Sequence, residues 1–129
     1  MRNNHFKNRT AYGHSLNKMD SQNYLLRRKV IDVIYDLNKI VKLPRIEVRI
    51  VSGGENLCGY AYMNGNVVHM NESHMNKTYF YQVVLHEILH AVLGIEHDEK
   101  CDLMSAVVRT ELTDARALQL FLNYFNKVN

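Results

Sequence analysis

The chain has 129 residues, 47% of them apolar, which suits one globular domain with its own core and excludes an intrinsically disordered segment. Its formal net charge is +3, and the first twenty residues carry that whole excess: Arg2, Lys7, Arg9 and Lys18 stand against Asp20 alone. The remaining chain balances 12 basic with 12 acidic residues, which argues against a body-wide nucleic-acid surface.

Residues 1–19 are polar and rich in Asn, His, Lys and Arg, and read as a mobile or loosely docked tail. No apolar signal-peptide core lies in the first twenty residues, and no apolar run approaches a membrane span. The chain as given therefore reads as intracellular, or released by a route other than ordinary secretion, with no membrane partner. Residues 20–129 read as a single domain. Asp20 or Ser21 can cap a helix running to about Val41, with Leu26, Val30, Val33, Ile34, Leu37, Ile40 and Val41 on one buried face. Pro44 breaks that pattern. Ile46 to Ile50 alternates apolar and charged, as a half-buried strand does. Gly53-Gly54 marks a turn. Gly59 to Met63 and Val67 to Met70 read as a hairpin joined through Asn64-Gly65-Asn66.

A helix then begins at Lys77 or Thr78 and runs through Leu93, with Val84, Ile88 and Ala91/Val92 toward the sheet. A last helix runs from about Thr113, a good N-cap, to Lys127, with Leu118, Phe121, Leu122 and Phe125 as its apolar stripe. The order gives an α+β domain: N-terminal helix, a short mixed sheet of three to four strands, a central helix and a C-terminal helix. Cys58 and Cys101 are too few for a disulfide scaffold or a four-Cys zinc site. They are free thiols or one bridge.

The central helix carries the chemistry. Residues 86–97 read His-Glu-Ile-Leu-His-Ala-Val-Leu-Gly-Ile-Glu-His. His86 and His90 are four apart and share a helical face. Gly94 can end the helix in a left-handed turn, and His97 follows three residues later. Three His ligands and an adjacent non-ligating carboxylate suit one catalytic Zn2+ with an open position for water. In that reading His86, His90 and His97 bind the ion, and Glu87 is the general base. A His-Glu-x-x-His alone also recurs by chance in buried helices, but Gly94, His97 and Met104 downstream add context.

The stretch resembles the metzincin zinc peptidases, whose motif is His-Glu-x-x-His-x-x-Gly-x-x-His followed by a Met-turn. It is most similar to matrixin-like sequences, with one residue more than the family pattern between His90 and Gly94. Strict spacing would put Glu96 at the third-ligand position. The preserved Gly94-to-His97 spacing favours His97, with Asp98 a weaker contender. The resemblance implies a reduced metzincin-like domain, with Met104 in Leu103-Met104-Ser105-Ala106 as the apolar floor beneath the ion. It also implies that Gly59 to Met63 rims the cleft and binds an extended peptide by strand addition. Most Met residues simply fill core gaps, and an ordinary edge strand explains Gly59 to Met63 equally well. No Tyr follows Met104 closely, so a Tyr ligand is not expected.

His69 and His74 have few acidic neighbours, so hydrogen-bonded surface His is preferred there to a second metal site. Three functions compete: a zinc endopeptidase acting on peptide or protein; a zinc endoribonuclease of the three-His rRNA-processing type; and an inactive zinc-binding interaction protein. Glu87 and the neutral body favour the first.

Overall fold

The computed structural model describes residues 21–53 and 57–128. The basic tail at 1–19 and Gly54 of the expected turn lie outside the described residues. Helix α1 spans Ser21–Asn38. Its face buries Leu26, Val30 and Leu37 completely, with Val33 and Ile34 partly buried against the same core. The helix stops three residues short of the expected Val41. Its exit tightens into turns, with Lys39 N–H donating to Asp36 O and Ile40 N–H to Leu37 O, while the Asn38 side chain accepts from Leu43 N–H. That tightening turns Ile40 off the apolar face, and it is 54% exposed rather than buried.

The sheet has three strands: β1 (Glu47–Val51), β2 (Gly59–Ala61) and β3 (Val67–Asn71). The order is β1-β3-β2, with β3 central, parallel to β1 and antiparallel to β2. β2 ends two residues before the expected Met63. The turn between β2 and β3 places Asn64 and Asn66 in the left-handed region, at φ 59° and 58°. Asn tolerates that region better than most side chains, which is why an Asn-Gly-Asn loop suits the hairpin.

A central strand buries both faces. On one face Val68 and Met70 of β3, with Val48 and Ile50 of β1, join the main core. On the other, His69 pairs in register with Tyr60 and stacks on it, centroids 3.9 Å apart and planes 9° apart. His69 is thus buried, at 5% exposure, and not the surface residue expected from its polarity.

A 3₁₀ turn (Glu72–His74) leads toward helix α2 (Phe80–Ile88), which continues as a π-helical turn over Leu89–Leu93. The start is two to three residues later than expected. Helix α3 (Asp114–Val128) closes the chain, with the Thr113 hydroxyl accepting from Arg116 N–H at 3.1 Å as its N-cap. Ala117, Phe121 and Phe125 bury against α2 in the main core. The domain is α+β, as expected. Among the described residues no helix is long and apolar enough to cross a membrane.

Candidate metal centre

α2 is apolar on the side that meets the sheet, where Val84 and Ile88 are fully buried. That packing fixes the helix rotation and turns His86 and His90 to a common side. Their Nε2 atoms lie 3.1 Å apart, and His86 Nε2 lies 3.3 Å from His97 Nε2. The ligand atoms of all three residues fall within 4.8 Å of one another. Glu96 and Asp98 are exposed and stand outside this cluster.

The ring tautomers follow from the other nitrogens. His86 Nδ1 donates to Leu103 O at 2.7 Å, and His90 Nδ1 donates to Ile95 O at 2.5 Å. A carbonyl oxygen only accepts, so each Nδ1 carries the hydrogen and each neutral ring turns a lone pair on Nε2 toward the other. Two lone pairs at that separation repel unless a proton or a cation lies between them. Tetrahedral nitrogen ligands at about 2.0–2.1 Å from a metal stand roughly 3.3–3.4 Å apart, close to the spacings here. The three imidazoles therefore fit a metal ion.

The helix widens into the π turn between Leu89 and Leu93, a form common at functional sites. Gly94 caps it in the left-handed conformation, at φ 65°. Its N–H reaches His90 O at 3.2 Å, and Ile95 N–H reaches Leu89 O at 3.2 Å. Each bond spans one residue more than in an ordinary Schellman cap. The hairpin tip covers the widened turn: Asn64 N–H donates to His90 O and Asn66 N–H to Ala91 O, both at 3.0 Å. A Cβ on Gly94 would meet Asn64 Nδ2 at 2.5 Å. The helix thus ends against the hairpin, and the chain leaves toward His97.

The segment after His97 folds back under the site. Asp98 N–H donates to Met104 O at 2.9 Å, and Met104 N–H donates to Cys101 O at 3.1 Å. Met104 is fully buried in the core, and its neighbour Leu103 supplies the carbonyl that orients His86.

His86 and Glu87 open onto a cleft of about 360 Å³. Its walls are Leu57 to Gly59, His74, Tyr79, Gln82, Val83 and Ser105 to Val108. Glu87 is 3% exposed, and its Oε1 has no hydrogen-bond partner among the described residues. Burial pushes its carboxyl up to about 8. Gly59 brings the β2 backbone against it: a Cβ there would stand 3.5 Å from Glu87 Cγ and only 2.6 Å from His69 O.

Two features of the site were not read from the sequence. Gln82, buried on α2, donates to Arg109 O at 2.9 Å and accepts from Arg109 N–H at 3.0 Å. This pair of hydrogen bonds clamps the far end of the 105–109 loop to α2. Glu99 holds the near end, accepting from the Ser105 hydroxyl at 2.8 Å and Ala106 N–H at 2.9 Å. Only the polarity of Gln82 at an otherwise apolar helix position hinted at such a role. Cys58 and Cys101 are both free thiols. No protein-family model matches this chain, and no curated protein or solved structure does either.

Proposed function

We propose that this chain is a zinc-dependent endopeptidase of reduced, matrixin-like metzincin type. The observation that carries the reading is the convergence of three imidazole nitrogens, with His86 opening onto the same cleft as Glu87, a buried carboxylate whose Oε1 has no hydrogen-bond partner among the described residues. A purely structural zinc site has no need of that carboxylate and is usually closed by four protein ligands. The π turn supports the metzincin assignment, because it takes up the one residue by which the motif exceeds the family pattern. The buried turn at Met104 suits an apolar floor, and β2 beside the cleft suits an extended peptide.

His86, His90 and His97 hold the ion through Nε2, kept in the right tautomer by Leu103 O and, for His90, by Ile95 O. When bound, zinc supplies a Lewis acid that polarises a carbonyl and acidifies water. Glu87 takes a proton from the attacking water at its carboxylate and returns it to the leaving amine. Burial raises its proton affinity, which suits the acid half of that cycle.

The test is Glu87→Gln, assayed on a peptide library, an unfolded protein and a structured RNA, each with and without chelator. We expect one equivalent of zinc retained and peptide cleavage lowered by about 10²-fold or more. RNA cleavage without peptide cleavage by the unsubstituted protein would favour the endoribonuclease. Zinc binding with neither activity would favour an interaction protein.

A further inference from the structure

The cleft holds a second set of metal-competent donors, separate from the three His. Cys58 Sγ lies 3.6 Å from His74 Nδ1, and His74 Nδ1 lies 3.0 Å from Tyr79 Oη. The three come from different segments, namely the residue before β2, the end of the 3₁₀ turn and the residue before α2, and all line the cleft. A thiolate at about 2.3 Å and an imidazole at about 2.0–2.1 Å from one tetrahedral ion stand roughly 3.5–3.6 Å apart, which matches Cys58 and His74. The same cleft contains Glu87, 3% exposed, whose Oε1 has no hydrogen-bond partner among the described residues. Glu87 packs against Gly59, the neighbour of Cys58.

We propose that Cys58, His74 and Tyr79 form a second, weaker site for a thiophilic divalent cation such as zinc, cadmium or cobalt. Binding displaces the Cys58 thiol proton to solvent and forms the metal–sulfur bond, with His74 Nδ1 as the neutral second ligand. Tyr79 Oη stays protonated as a weak ligand or a hydrogen-bond donor to the sulfur, which keeps the site weaker than the three-His site. Burial raises the Cys58 thiol above its ordinary value when no cation is there. An ion at this position narrows the way to Glu87, so zinc beyond the first equivalent inhibits. That consequence rests on the peptidase reading; the site itself does not.

The test is a titration of the full chain with Co2+ alone, followed by absorption spectroscopy and equilibrium dialysis. Two equivalents are expected, and the weaker one brings a thiolate-to-cobalt charge-transfer band. The band and the second equivalent disappear in Cys58→Ser and persist in Cys101→Ser. His90→Ala loses the first equivalent and keeps the band, which separates this site from the catalytic proposal. Should Cys58→Ser misfold by circular dichroism, His74→Gln weakens the second equivalent by about tenfold or more. A single equivalent without a thiolate band overturns the proposal, as does a band that survives Cys58→Ser.

Discussion

Gly94 is constrained twice over. Its φ of 65° lies where a Cβ is strained, and the Asn64 side chain occupies the space a Cβ would enter. Gly94→Ala is expected to lose about 1–3 kcal/mol, read as a lower midpoint in urea unfolding. A shift below about 0.5 kcal/mol would mean that Asn64 yields freely and the cap is not rigid. His69 titrates well below an ordinary imidazole. Burial, and then the Arg49 charge beside it, lowers it from 6.5 to about 4, against smaller raising effects from the Tyr60 backbone and Glu47. Both states leave it neutral above about pH 6.5, so it costs nothing there. Between pH 6.5 and about 4 the unfolded chain takes up a proton that the folded chain refuses, and stability falls as pH falls. The loss is at most about 3 kcal/mol and levels off below pH 4. His69→Phe keeps the stack on Tyr60 and removes the titration. Its stability should depend less on pH across that window, and identical profiles would refute the assignment.

The element that decides the site is the metal helix with its π turn. Its apolar face and its paired imidazoles were legible in the sequence, because a spacing of four on a helix is a statement about direction. The π turn was not legible. A helix end can lengthen, bulge or unwind, and local propensity does not choose among these. Here the choice was made by the hairpin, whose Asn64 and Asn66 amides satisfy the carbonyls of His90 and Ala91. The wall formed by residues 105–109 was equally hidden, because its fastening to Gln82 joins residues 27 apart in sequence. Gln82→Ala removes both partners of the Arg109 backbone. We expect a loss of about 1–3 kcal/mol and faster hydrogen exchange at the Arg109 amide. Unchanged exchange would show that Glu99 alone holds the loop.

At the scale of the whole molecule, the three clustered imidazoles join α2 to the segment beyond Gly94, and the Met104 turn locks that segment through Asp98. Zinc that binds the folded chain and not the unfolded one stabilises it by about 4 kcal/mol at a free concentration 1,000 times Kd. Chelation should therefore lower the melting temperature of the unsubstituted protein by more than that of His90→Ala, which lacks the three-His site. Equal shifts in the two would place the stabilising ion elsewhere.

The amino-acid order by itself determined the α+β class, the pairing of the His86 and His90 imidazoles on one helical face, and the N-cap at Thr113. These rest on contacts within a few residues, where helical and strand periodicity fix geometry. Only the tertiary structure decided that His97 rather than Glu96 joins the cluster, that His69 is buried under Tyr60, and that Cys58 meets His74 and Tyr79. Each of those depends on how separate segments pack, and no local pattern encodes the distance between side chains that folding brings together.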